Sequence, residues 1–349
     1  MSSKTKVLFT GATGYIGGTV LKHFLNYTEF SSYEITALIR SSEKAANLEK
    51  LGIRATVGSY NDATFTESLS AEADIVISAA DADNVPAIRA ILAGLKKRHT
   101  ATGILPVIIH TSGTGVVGDN AAGDRASDFV YDDTKVEELD ALSDTAIHRP
   151  VDLTLINADK EGYVKSYIIL PSAVYGSASG ILLDKGIQKP HSSDLIAYLG
   201  NAAVARGQSG VVGEGKNIWP NIHVEDNAEL YIAVLDAIRK GADIGHGREG
   251  YYFAENGEHS FYEVARAIGE VLVSLGISSN PEPTTFTREE LSKYLGVDIA
   301  TEGSSLFGIN ARCRGTRGRA IGWKPRYNKA DFLACVKPDI EGLVTRLRG

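Results

Sequence analysis

A short apolar run, Lys6-Val-Leu-Phe-Thr10, leads directly into Gly11-Ala-Thr-Gly14-Tyr-Ile-Gly17-Gly18, and an amphipathic helical pattern (Val20, Leu21, Phe24, Leu25) follows. Glycines at 11, 14 and 17 permit a sharp turn, a close approach of backbone to a diphosphate, and tight packing of the helix on the sheet. The helix then points its free N–H groups and positive dipole end at the anion. A second strand pattern, Ile35-Thr-Ala-Leu-Ile39, begins at the distance a βαβ unit requires. Gly11, Thr13, Gly14, Tyr15, Ile16 and Gly17 are therefore predicted to cradle a nucleotide.

The alternation continues through Ile53–Val57, Asp74–Ser78, Leu105–Ile109 and Tyr167–Leu170, with helical patterns between, notably Val85 to Leu95. Short β-branched runs without polar alternation are strands covered on both faces, as in a parallel sheet. The predicted fold class is α/β, a doubly wound parallel Rossmann sheet with a smaller, interleaved C-terminal substrate-binding region. Residues 1–176 are assigned to the nucleotide-binding part, with elements at 222–255 returning to it, and 177–221 and 256–349 to the substrate region. Within the latter, helical patterns cover Phe261–Leu275 and Arg288–Tyr294, the second with Thr287 as N-cap and Glu290 three residues on.

No segment has the ~20 consecutive apolar residues that a membrane span needs, and the N-terminus leaves no room for a signal peptide before the first strand. Two cysteines, Cys313 and Cys335, fit a reducing, cytoplasmic setting without a disulfide framework or a metal site. A net charge of −7 argues against nonspecific nucleic-acid binding. The basic run Arg312, Arg314, Arg317, Arg319 is expected to be a solvated loop. The expected partner is a small-molecule substrate, with no nucleic acid and no membrane.

The Thr10–Gly17 opening, Ile77-Ser-Ala-Ala80, His110-Thr-Ser-Gly-Thr-Gly115, Leu170-Pro-Ser-Ala-Val-Tyr-Gly176, Trp219-Pro-Asn-Ile-His-Val-Glu-Asp226 and Gly322-Trp-Lys-Pro-Arg-Tyr327 occur in an order that resembles the extended short-chain dehydrogenase/reductases. These include epimerases, dehydratases and dihydroflavonol-reductase-like enzymes; the chain is also similar to NmrA-like proteins, some of which bind the dinucleotide without turnover. The resemblance implies Ser59 and Tyr60 at the adenine, Ala79 and Ala80 at the adenosine ribose, and Pro171, Ser172 and Val174 at the nicotinamide. It is also compatible with a homodimer.

Where an NAD site places a carboxylate at the end of the second strand, this chain has Leu38-Ile-Arg40-Ser41-Ser42 with Lys44 behind and no acid before Glu43. Cations there suit a 2′-phosphate, so NADP(H) is favoured over NAD(H). The resembled enzymes protonate the substrate oxygen with a Tyr assisted by a Lys four residues on, and by a Ser or Thr. Tyr131-Asp-Asp-Thr-Lys135 has that spacing on one helical turn. A second assignment aligns His148-Arg-Pro-Val-Asp152 with the dyad helix, leaving His148 as the donor; a third leaves no dyad at all. Gly113 stands where the hydroxyl is expected, so Ser112 or Thr114 would supply it. Trp219 is either a substrate platform or a core residue.

The expected activity is NADP(H)-dependent hydride transfer to or from a small or medium carbonyl/alcohol metabolite. A cofactor-binding regulatory protein and a redox-neutral isomerase, epimerase or cyclase are the alternatives.

Overall fold

The computed structural model describes residues 4–296 and 305–348. Seven strands form the main sheet: β1 (Thr5–Thr10), β2 (Tyr33–Ile39), β3 (Arg54–Val57), β4 (Ile75–Ser78), β5 (Val107–Thr111), β6 (Lys165–Pro171) and β7 (Tyr251–Ala254). Their spatial order is β7-β6-β5-β4-β1-β2-β3, and every neighbouring pair is parallel. The order reverses between β1 and β4, which opens a crevice at their carboxyl ends.

The unbroken apolar runs follow from burial on both faces. Val7 and Phe9 of β1 join one core with Ile75, Ile77, Val107 and Ile109, while Leu8, Val76 and Ile108 join a second core on the opposite face. Helices α1 (Tyr15–Leu25) and α7 (Val224–Arg239) cover the first face; α3 (Ala63–Ser70), α4 (Val85–Thr102) and α5 (Arg149–Lys160) cover the second. Helix α2 (Ser42–Glu49) follows β2. Helix α4 outruns its sequence pattern by almost two turns because its apolar stripe ends before the left-handed Gly103 stops it.

A third core is built from α6 (Asp194–Arg206), α8 (Phe261–Ser274) and α9 (Lys329–Arg348). Three short strands, Ala173–Tyr175, Ile218–His223 and Glu258–Ser260, form a small sheet beside it. Thr287 and Glu290 make the expected capping box, but regular helix there ends at Glu290 and continues as a π turn over Leu291–Leu295. No described helix is long and apolar enough to cross a membrane.

The arginine run is not a solvated loop. Arg312 forms a two-pronged ion pair with Glu258 (2.9 and 2.7 Å), Arg317 donates to the Asp133 carbonyl, and Arg319 pairs with Glu255. Three of its four guanidinium groups therefore tie the segment to the body of the protein.

Candidate active site

A cleft of about 650 Å³ opens at the carboxyl ends of β1, β2 and β4, lined by Gly11, Thr13, Gly14, Tyr15, Arg40, Lys44, Ser59, Tyr60, Ala79 and Ala80 among others. Gly11 has φ +75°, and a Cβ there would lie 2.2 Å from the Ala79 carbonyl oxygen, so only glycine fits. Helix α1 has no side-chain cap and no acid in its first turn, whereas α2, α3 and α4 are capped by Ser41, Asp62 and Asn84. Its leading N–H groups are left for an anionic ligand. These features fit a dinucleotide diphosphate.

Two residues predicted for the cofactor line neither this cleft nor the pocket that continues it. Gly17 packs behind it, where a Cβ would meet the Gly11 carbonyl oxygen at 2.3 Å. The Ser41 hydroxyl accepts from the Lys44 N–H at 3.3 Å as the cap of α2. Lys189, Asn61 and Asp81 line the cleft without having been singled out in the sequence.

A second pocket of about 300 Å³ shares Tyr15 and Asp194 with the cleft and continues it. Ile16, Pro171, Ser172 and Val174 lie on the side toward β6; Leu195, Tyr198, Trp219, Phe261, Leu306 and Phe307 complete the apolar wall. The Ser172 hydroxyl is held by the Ala254 carbonyl (2.8 Å), and the Trp219 indole donates to the Ile309 carbonyl (2.8 Å). Trp219 thus lines the pocket and also packs on Phe261.

His148 enters this pocket from the N-cap of α5 with φ +67°, a left-handed conformation that costs a non-glycine residue about 1 kcal/mol. Asp83 Oδ1 holds it there, accepting from the His148 N–H (3.1 Å) and lying 2.8 Å from its Nδ1. Because a carboxylate only accepts, Nδ1 donates to Asp83 and Nε2 is the ring nitrogen turned to the pocket. A Cβ on Gly113 would lie 2.8 Å from that Nε2. The missing hydroxyl at 113 and the histidine at 148 are therefore one substitution in space: the imidazole needs the room. Thr114 also faces the pocket, its Oγ1 buried and without a partner among the described residues.

Residues 11–138 match a family model described as NAD(P)H-binding. Oxidase ucsJ of Acremonium sp is 30% identical over 342 residues, covering 92% of each protein. UDP-glucose 4-epimerase of Thermotoga maritima superimposes with a TM-score of 0.64 at 14% identity, covering 98% of this chain and 100% of that one. The dTDP-glucose 4,6-dehydratase of Bacillus anthracis does so with 0.62 at 15%, covering 98% and 97%. The chain belongs to the extended short-chain dehydrogenase/reductases.

Within this extended short-chain dehydrogenase/reductase, Tyr131 and Lys135 do not share a helical face. Tyr131 lies on a two-residue strand paired with Cys313–Arg314, and Lys135 caps the short helix Val136–Asp140. Neither lines the pocket. Asp132 accepts from the Thr316 hydroxyl (2.7 Å), and Asp133 from the N–H groups of Phe253 and Arg317 (3.1 and 2.9 Å), stapling the segment beside β7. The helix preceding β6 begins instead with His148 and contains Asp152.

Asp152 and Ser112 are also turned away from the pocket. Asp152 is wholly buried, with Oδ2 accepting from the Ser112 and Tyr251 hydroxyls (3.2 Å each), while Arg149 donates to Tyr251 (2.6 Å). Burial pushes the Asp152 carboxyl up to about 7 despite these donors, and Asp133 likewise. The native state thus holds a proton at Asp152 that the unfolded chain releases above the ordinary carboxylate range, so stability falls as pH rises from about 4 through 7. Urea midpoints at pH 5 and pH 8 should differ less for Asp152→Asn than for the parent protein. An equal or larger difference would show that Asp152 is ionised in the native state throughout.

Proposed function

We propose that this protein is an NADP(H)-dependent oxidoreductase acting on an uncharged, largely apolar, ring-bearing ketone or secondary alcohol of small to medium size. The observation that carries the reading is His148 Nε2, lying over Gly113 in the apolar pocket that continues the dinucleotide cleft. When bound, the nicotinamide supplies the hydride in reduction and accepts it in oxidation. His148 gives the Nε2 proton to the substrate oxygen in reduction and removes the hydroxyl proton in oxidation. Asp83 accepts from Nδ1, which leaves Nε2 to carry the exchanged proton. The unpartnered Thr114 hydroxyl is available to hydrogen-bond the same oxygen.

The substrate class follows from the walls. Trp219, Phe261 and Phe307 favour a ring, and no lysine or arginine lines the pocket among the described residues. Residues 297–304 contain none in sequence either, only Asp298 and Glu302. A sugar nucleotide of the kind named for the epimerase and dehydratase above would bring a diphosphate with no counter-charge in this pocket. Arg40 and Lys44, with no carboxylate at the end of β2, favour NADP(H).

In fluorescence titrations NADPH should bind at least tenfold more tightly than NADH. Adding aromatic or alicyclic ketones to the NADPH complex should consume the signal. Tighter binding of NADH, or consumption of UDP-glucose, would overturn the reading. Firm NADPH binding with no turnover across the ketones would favour a regulatory role.

A further inference from the structure

Between the short helix Ile181–Asp184 and α6, the chain crosses the mouth of the dinucleotide cleft as a strap. Gln188 pins it down. This residue is 2% exposed, and its amide donates to the carbonyls of Gly14 (3.2 Å) and Tyr15 (2.9 Å) and to Thr19 Oγ1 (3.2 Å). The Tyr15 hydroxyl contacts the carbonyls of Gly176 and Ser192, and the Asn47 amide donates to the Lys185 carbonyl (3.2 Å). The strap is therefore attached to the first turn of α1 and to α2, the two elements that border the diphosphate and the adenosine ribose.

Lys189, the residue after the pin, lines the cleft together with Arg40 and Lys44. Burial, and after it the nearby Lys189 ammonium, holds the Lys44 ammonium below its usual range, with Glu43 opposing less strongly. None of the three cations makes an ion pair among the described residues. The two acids in the cleft wall are engaged elsewhere: Asp194 pairs with His191 at 3.0 Å, and Asp81 accepts from the Asp83 N–H at 2.9 Å. Three cations that line one cleft from separate stretches of the chain, none of them ion-paired among the described residues, favour an anion there.

We propose that Lys189 is a ligand of the cofactor's 2′-phosphate, so that the strap closes a three-cation site begun by Arg40 and Lys44. This rests on the NADP(H) reading. The strap thereby ties cofactor discrimination to the same chain segment that leads into α6 and its pocket residues Leu195 and Tyr198. A lysine suits the position because its flexible stem can bring a point charge to a phosphate without a fixed approach plane.

The test is to measure dissociation constants of NADPH and NADH for the parent protein, Lys189→Met and Lys189→Arg, with the thermal midpoint of each cofactor-free variant as a control. Lys189→Met should weaken NADPH by about tenfold, the loss of one hydrogen bond to a charged group, and leave NADH within twofold. Lys189→Arg should restore most of the NADPH affinity. Equal weakening of both cofactors by Lys189→Met would place the charge at the diphosphate or in the strap's own fold, and no weakening of either would remove it from the site; each result overturns the proposal. If the parent protein shows no preference for NADPH, the NADP(H) reading itself falls. An NADPH preference in Lys189→Met as large as the parent's defeats only the role of Lys189.

Discussion

His148→Phe is expected to lower turnover by about 10²–10⁴-fold, the usual contribution of a positioned acid or base, while NADPH affinity stays within twofold. Phenylalanine fills the imidazole's space over Gly113 and keeps the pocket closed, so the loss isolates proton transfer from packing. Asp83→Asn should act in the same direction but less severely, because the amide oxygen can still accept from Nδ1, though as a neutral and weaker acceptor than a carboxylate. The Asp83 side chain is 56% exposed, and water screens part of that effect. Tyr131→Phe serves as the counterpart: its ring lies among Phe129 and the segment stapled to β7, and turnover should be unchanged. Single-turnover oxidation of bound NADPH separates these outcomes from changes in cofactor release. Full activity in His148→Phe would remove the histidine from the mechanism.

Asp226→Ala should be the most destabilising of the single substitutions considered. Asp226 lies in the first turn of α7, is fully buried, and accepts from the backbone N–H groups of Arg326 and Tyr327 at 2.8 and 2.9 Å. The Trp323 indole donates to its carbonyl at 2.8 Å, and the Tyr327 ring stacks on His223, 3.9 Å between centroids. The Asp226 side chain and carbonyl together fix residues 323–327, the segment that leads into α9. Removing it leaves two donors without an acceptor at ~1–3 kcal/mol each, for a total of about 2–6 kcal/mol, together with the favourable placement of an acid at a helix N-terminus. Asp226→Asn keeps one acceptor oxygen and should lose less than half as much. Urea denaturation with unchanged m-values would read the difference. A loss below about 1 kcal/mol for the alanine variant would mean that water or another group satisfies the 326–327 backbone.

The sheet and the nucleotide loop were legible because both faces of β1, β4, β5 and β6 are covered, which writes uninterrupted apolar runs into the sequence. The spacing of Gly11, Gly14 and Gly17 spoke as clearly, since each position is fixed by contacts within a few residues or by the adjacent β4 backbone. The catalytic end was harder to read. Tyr131 and Lys135 have a helical spacing but lie in a strand and a cap, because Asp132 and Asp133 are anchored by partners more than a hundred residues away. Gly113 and His148 were each visible as a departure from the family pattern. Their shared space was not, since nothing local couples position 113 to 148. The same holds for Lys189 and Asp83, which reach the site on loops whose paths are set by Gln188 and by the turn after β4.

The order of the strands along the chain also sets a sequence of events during synthesis. By the end of β6, at Pro171, six of the seven sheet strands and the whole glycine loop have been made, whereas Phe261 and Phe307 of the substrate pocket have not. At ~5–20 residues per second, roughly 7–27 seconds separate β6 from Phe307. A nascent chain thus carries most of its dinucleotide cleft well before it has a place for substrate, and a nucleotide captured in that interval would favour the partly made sheet over its unfolded alternatives by mass action. In that interval a dinucleotide would meet a fold that can hold it and nothing yet that can hold a substrate.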